Sequence, residues 1–359
     1  MKIHDTINSI EKAYQDVIKK AEERQLALVK PPHSLGRLED ISIKMAGITG
    51  KVKNKIDRRR IIVMCADNGV VEEGVASAPQ SVTLSQTINF TKAKTGVSCL
   101  AKHYGIDLCI VDVGINGDVP EQIVMSGDVL VRKLAYGTNN ISKGAAMTRE
   151  QAEKAIEIGI EMADIAKADG FDIVGVGEMG IGNTTTSSAV LSCILDIDAK
   201  TTVGRGGCIT DEMLKHKIEV VKTALSVNKP DKNDIIDVIS RVGGFDIAAM
   251  TGVYLGCAKN RIPVVIDGFI SAVAALCAYK INPIVKDYMF ASHKSEEAGY
   301  KIAVDEIGIV PMFDLAMRLG EGSGCIVAFS IIESALTVMN DMATFDEADI
   351  DDKYLDGLR

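Results

Sequence analysis

The sequence predicts an α/β protein built on a doubly wound, mostly parallel sheet, and three observations carry that prediction. First, short runs rich in Val and Ile recur along the chain, at 61–66 (IIVMCA), 108–113 (LCIVDV), 173–176 (IVGV) and 264–266 (VVI). Continuous apolar runs of this length, bounded by glycine or polar residues, read as strands covered on both faces. Second, segments of helical periodicity separate them, which is the pattern of a parallel sheet with crossover helices. Third, the runs end in Asp67-Asn68-Gly69, Asp112, Gly177-Glu178 and Asp267-Gly268. Polar and glycine residues at the carboxyl ends of parallel strands sit where open sheets place their ligands. The arrangement expected is Rossmann-like. At 359 residues the chain exceeds the usual single-core domain. The expected division is a large α/β domain over 51–322 and a smaller helical domain built from 1–50 plus 323–359.

Taken in order, Ile7, Ile10, Tyr14, Val17, Ile18 and Ala21 recur at helical spacing, so one amphipathic helix is expected to open the chain. Lys30-Pro31-Pro32 makes a rigid turn before a second helix near 38–48. After the first strand, Ala78, Pro79, Gln80 and Ser81 lead into a helix expected to reach about His103. Thr148 and Gln151 form a capping box for a helix whose stripe is Ala152, Ala155, Gly159, Met162 and Ala166. Beyond 200 come a glycine nest (Gly204, Arg205, Gly206), a helix carrying Lys217, VGGFDIAAMTG at 242–252, ASHKSEEAG at 291–299 and MRLGEGSG at 317–324. A last helix is expected over 326–342, packed with the first two.

Composition narrows the function classes. The chain is 47% apolar and 25% charged, with a formal charge of −9. Its one dense basic run, KVKNKIDRRR at 51–60, is too short for a nucleic-acid face and reads as a solvated connection. The eight cysteines are scattered without a CxxC pair and read as small core residues in a reducing cytoplasm. The five histidines are dispersed, so neither a metal nor a cofactor is expected. The N-terminus lacks the apolar core of a signal peptide, and no apolar run is long enough to span a bilayer. The expected location is the cytoplasm.

The most informative stretch is DIVGVGEMGIGNTTTSS at 172–188. It joins a buried strand, a glycine turn at Gly177, Gly180 and Gly182, the lone carboxylate of Glu178, and a helix start rich in hydroxyls. Helix N-termini carry unpaired N–H groups, so a phosphate is expected there. Two other readings stay open on spacing alone. GVGEMG matches the GxGxxG fingerprint, with Asp196 or Asp198 as the ribose-binding acid of a nicotinamide oxidoreductase. A purely structural strand-to-helix turn would look the same. Lys217, likewise, is on spacing alone as well explained by a solvated helix flank.

The ordered set KPPHSLGRLE, CADNGVVEEGV, GVGEMGIGNTT, VGGFDIAAMTGV, DGFISAVAAL, SHKSEEAG and MRLGEGSG resembles the nicotinate-nucleotide:dimethylbenzimidazole phosphoribosyltransferases of cobamide biosynthesis over nearly the whole chain. The resemblance implies transfer of 5-phosphoribosyl from nicotinate mononucleotide to 5,6-dimethylbenzimidazole or a related base. It displaces the dinucleotide reading. It also implies that Glu321 is the general base, with Glu178 a second active-site carboxylate and Lys217 an active-site lysine. Phosphate and ribose contacts carry over to Gly180, Ile181, Gly182, Asn183, Thr184, Gly204, Arg205 and Gly206, with Asp267 and Ser292 added. The base pocket carries over to Ala78, Gln86, Met179 and Leu319. A homodimer is implied, some relatives being heterodimers, with no nucleic-acid or membrane partner. Two departures bear on the base: Asn68 stands where many relatives have histidine, and Ala78 where some have serine. Relatives act on phenols, adenine and other benzimidazoles.

Overall fold

The computed structural model describes residues 2–355. Its seven strands, β1 Arg59–Ala66, β2 Asp107–Gly114, β3 Leu130–Val131, β4 Ile173–Met179, β5 Val264–Ile266, β6 Met289–His293 and β7 Pro311–Phe313, form one sheet in the order β3-β2-β1-β4-β5-β6-β7. Every pairing is parallel. The chain builds outward from β1 to one edge, returns to lay β4 beside β1, and builds outward to the other edge. The order therefore reverses between β1 and β4, and a ligand crevice is expected outside their carboxyl ends. From Ile61 to Ala66, β1 is fully buried, as its unbroken apolar run requires.

Helices cover both faces. Arg149–Ala168, Phe245–Lys259 and Phe269–Ile281 pack together as one layer, while Arg37–Thr49, Gly96–Tyr104 and Ser323–Asp341 form the other. Val17, Ala21, Ala46 and Met339 make a small apolar cluster between the terminal helices. Ile326, Phe329 and Ile332 of the last helix belong to the main core beside the sheet. That helix is the only one among the described residues with the length and apolarity of a membrane span.

Several expectations need correction. The opening helix is two, Lys2–Ser9 and Gln15–Ala27. Between them Tyr14 donates its N–H to Gly47 O at 2.8 Å, and the Arg261 guanidinium lies 3.9 Å from the Tyr14 ring centre. Tertiary contacts thus break a periodicity that has no local breaker. The helix expected to reach His103 is also two, Val82–Phe90 and Gly96–Tyr104, because Thr95 caps the second through a capping box with Ser98. β3, β6 and β7 have no counterpart in the sequence reading. Of the cysteines, 65, 257, 277 and 325 are core residues, whereas Cys99 and Cys208 are exposed.

Candidate active site

The crevice at the reversal of strand order is a cavity of about 270 Å³. Its floor begins with β4, which runs on to Met179 and so carries Glu178 inside the strand. Gly175 and Gly177 are strand residues, not a turn. A Cβ on Gly177 would collide with Glu321 O, so only glycine lets the turn at 320–324 lie against the sheet. The dinucleotide fingerprint therefore has no phosphate-binding turn at its first two glycines, and Asp196 lies on the surface, paired with Lys232 at 2.8 Å. The turn comes later. Gly182, at φ +96°, is the N-cap of the helix Asn183–Leu195, and the N–H of Ile181 is held by Thr83 Oγ1 at 3.1 Å.

Burial sets the charge of the site. Asn183 Nδ2 donates to Glu178 Oε2 and, at 3.1 Å, to Asp246 Oδ2. One amide thus bridges two buried carboxyls that cannot both ionise cheaply. Burial pushes Glu178 up to about 8, against the pull of Asn183. Asp246 is pushed up to about 6 for the same reason, with the Asn183 and Asn68 amides pulling back. Asn68 accepts from Thr186 Oγ1 at 3.1 Å; it belongs to this buried network and does not line the cavity.

Glu321 sits in a Gly-Glu-Gly turn with its backbone at φ +64°, a left-handed conformation for a residue with a side chain. Its Oε2 accepts the N–H of Val97 at 3.1 Å, at the N-terminus of the helix Gly96–Tyr104. Burial raises its pKa, while the Val97 and Gly96 N–H groups and Thr95 pull it down. The residue lines the cavity, and Val97 holds only one of its two oxygens. The turn is anchored by Asp267, whose two oxygens accept the N–H groups of Gly322 at 3.0 Å and Gly324 at 2.7 Å.

At the other end of the cavity Lys217, 1% exposed, donates to Thr184 Oγ1 at 2.8 Å and Gly204 O at 3.3 Å. Burial lowers it to about 8, with Glu297 opposing. The solvated-flank reading of Lys217 is therefore overturned. Gly206 lines the cavity, but the Arg205 guanidinium, although also at its rim, is engaged with Ile209 O and Asp211. Gly204 lies just behind the wall.

Ala78, Gln86, Met179 and Leu319 line the cavity together with Gly180, Ile181, Asn183 and Thr184. Leu319 is 58% exposed, at the mouth. Asp267 and Ser292 do not line it: both are buried beneath, and Ser292 Oγ donates to Asp267 O at 3.1 Å. Their placement is that of supports for the wall. Sequence reasoning also missed wall residues, among them Ser77, Ser271, His293, Ser295, Glu297 and Arg318. A larger groove of about 1210 Å³ lies at the amino ends of the strands, lined by Lys51, Lys53, Lys55, Asp57, Asp172 and Pro263. None of the buried carboxyls described above faces it.

A family model described as phosphoribosyltransferase matches residues 10–350. The chain belongs to this family. Within the family it is 53% identical over 357 residues to the nicotinate-nucleotide–dimethylbenzimidazole phosphoribosyltransferase of Clostridium perfringens, covering 99% of this chain and 98% of that one. The enzyme of the same name from Clostridium tetani is 49% identical over 358 residues, with 99% and 98% covered. Among solved structures of the family, the nicotinate-nucleotide–dimethylbenzimidazole phosphoribosyltransferase of Thermus thermophilus superposes with a TM-score of 0.88 at 35% identity, covering 94% of this chain and 99% of that one.

Proposed function

We propose that this protein transfers the 5-phosphoribosyl group of nicotinate mononucleotide to 5,6-dimethylbenzimidazole, giving α-ribazole 5′-phosphate and nicotinate for the nucleotide loop of cobamides. One observation carries the reading: a single cavity pairs an anion-binding end, made by Lys217 and the N-terminus of the helix Asn183–Leu195, with a buried carboxylate, Glu321, beside the apolar side chains of Met179 and Leu319.

The reaction makes unequal demands on its two ends. The ring nitrogen of the mononucleotide is already cationic, so the C1′–N bond can break with its electron pair returning to the ring and no acid assisting. The incoming azole attacks C1′ from the opposite face, inverting it, and must then lose its N–H proton. In this reading Glu321 accepts that proton through the oxygen that Val97 does not hold. Its raised pKa improves the match to a proton released near neutral pH. Glu178, protonated at neutral pH in the free site, is drawn toward ionisation when the pyridinium arrives beside it, because a nearby cation favours the carboxylate. The phosphate is held by Lys217, the Thr184 hydroxyl and the end of the helix Asn183–Leu195 that Gly182 caps. No metal is called for, since one phosphate monoester can be neutralised by an ammonium and a helix end.

The working form in this reading is a cytoplasmic homodimer. Incubating the purified chain with nicotinate mononucleotide and a panel of benzimidazoles, phenols and adenine, followed by mass spectrometry, tests the assignment. A ribotide of 5,6-dimethylbenzimidazole is expected. Its absence, with the chain shown folded and dimeric by light scattering, removes the reading.

A further inference from the structure

Two residues that line the cavity carry a buried acceptor with nothing to accept, one at the end of β6 and the other four positions beyond it. The first is His293, the last residue of β6 and 1% exposed. Ser292 Oγ lies 3.1 Å from Asp267 O and 3.0 Å from His293 Nδ1. A carbonyl oxygen only accepts, so the serine hydrogen goes to Asp267 O, and the hydrogen between Ser292 and His293 must come from Nδ1. That fixes the tautomer. Nε2 is then a bare lone pair, buried and without a partner in the protein, on a residue that lines the cavity. Tyr300 stacks on the ring at 6.3 Å and Phe313 lies against it at 6.0 Å, which holds its orientation. Burial lowers its pKa to about 4, so the ring stays a neutral acceptor.

The second acceptor is Glu297. Its Oε2 is buried without a partner, and a Cβ on Gly204 would collide with it, so the carboxyl is pressed against the glycine nest. The Gly206 N–H and Lys217 steady the carboxylate. Leaving buried acceptors unpaired is costly, and groups left so in a cavity point to a ligand that supplies the donors.

This inference rests on the reading of the substrate as nicotinate mononucleotide. Of that molecule's parts, the phosphate dianion, the carboxylate and the pyridinium ring offer no O–H or N–H donor. Only the two ribose hydroxyls do. The azole N–H is assigned to Glu321. We therefore propose that His293 Nε2 and the Glu297 carboxylate accept the ribose 2′- and 3′-hydroxyl hydrogens of the donor, and so select a ribosyl over a deoxyribosyl group. Sites built around a substrate hydroxyl discriminate strongly against the analogue that lacks it, because their polar groups are then stranded.

The test compares nicotinate mononucleotide with its 2′-deoxy and 3′-deoxy analogues under the same base. For the unmodified protein, kcat/KM is expected to fall by about 10²-fold or more for each deoxy donor. His293→Phe keeps the ring shape and its stacking on Tyr300 but removes the acceptor. It is expected to lower kcat/KM for the ribosyl donor while leaving one deoxy donor nearly unaffected, so that selectivity at that hydroxyl collapses to within about tenfold. Glu297→Ala should do the same for the other hydroxyl, and Glu297→Gln, which restores an acceptor oxygen, should recover part of it. Equal use of ribosyl and deoxyribosyl donors by the unmodified protein overturns the inference, and that measurement needs no variant to fold. An equal loss on all three donors in His293→Phe also overturns it, since a merely structural role would act that way. Failure of nicotinate mononucleotide itself to react would instead remove the underlying reading of the function.

Discussion

At the amino ends of the strands Arg60 meets Asp107 at 2.5 Å and Asp169 at 3.0 Å, Arg59 meets Glu333 at 3.2 Å, and Lys259 meets Asp164 at 2.5 Å. At the carboxyl ends of the same sheet Glu178, Asp246 and Asp267 are buried among backbone and amide groups, with no lysine or arginine ion pair among the described residues and all with raised pKa values. Both ends are rich in charge, but only one is arranged so that its charges are satisfied. Exposed pairs in water contribute little and cost little. Buried carboxyls kept from their ordinary ionisation are costly, and they cluster where chemistry needs them. The difference separates the end that maintains the fold from the end that uses it.

Four measurements would break or sharpen that division. The largest effect is expected for Glu321→Gln, which keeps the Val97 hydrogen bond but cannot take a proton. Turnover should fall by about 10²-fold or more, with binding of the mononucleotide retained; near-normal turnover would move the base elsewhere, Glu178 being next in line. Lys217→Met should follow. Loss of one charged hydrogen bond to phosphate is worth about 1.5–3 kcal/mol, or roughly 10- to 150-fold in kcat/KM for the mononucleotide. The variant should act on nicotinate riboside nearly as well as the unmodified protein does. An equal loss on the riboside would take the phosphate away from this end.

The third effect is on stability. Glu178 has a folded pKa of about 8 against an ordinary 4.5, so between those values the folded state holds a proton that the unfolded state has released. Stability from this group is fully present below 4.5 and declines as pH rises through 8. Asp246, at about 6, and Asp267, at about 7, act in the same direction over narrower windows. The ligand-free protein should therefore melt lower at about pH 8 than at about pH 5, and Glu178→Gln should shrink the difference. Parallel pH profiles for the two proteins would show that Glu178 ionises normally. The smallest effect belongs to the other end of the sheet. Arg60→Ala should cost about 1 kcal/mol or less through its ion pairs, plus the loss of its packing 3.8 Å over the Phe171 ring, and should leave kcat unchanged. A loss of turnover there would mean that the two ends are coupled.

The strands legible in the sequence are those whose side chains face apolar layers on both sides. β1, β2, β4 and β5 announce themselves through Val and Ile, while β6 (MFASH) and β7 (PMF) carry neither a β-branched run nor an alternation. The same strand periodicity explains the miss at Ser292. Neighbouring residues on a strand face opposite sides, so of Ser292 and His293 only one can line the cavity, and the spacing does not say which. Glu297, just before the helix Ala298–Ile307, shares a motif with Ser292 and is still illegible in the sequence, because the contact that places it is with a nest of glycines some ninety residues earlier. Gly177 reads as the start of a turn and proves to be a strand residue, because close approach and sharp turning ask for the same residue. The local signals that did succeed, at Gly182, Asn183 and Thr184, succeeded because a helix start is written in consecutive residues.

The contact between Glu321 and Val97 spans 224 positions of sequence, and it has a consequence for the order in which the protein can be made. A ribosome delivers β1, β2 and β4 long before residue 321, so the glycine face of β4 must wait, uncovered, for the turn that Asp267 will anchor. A nascent chain halted before that turn would hold all seven strands and every residue of its proposed phosphate end, yet neither the proposed base nor the lid over Gly175 and Gly177. The two halves of the proposed chemistry are therefore completed at different moments of synthesis, and the acquisition of activity should coincide with the docking of the last long helix.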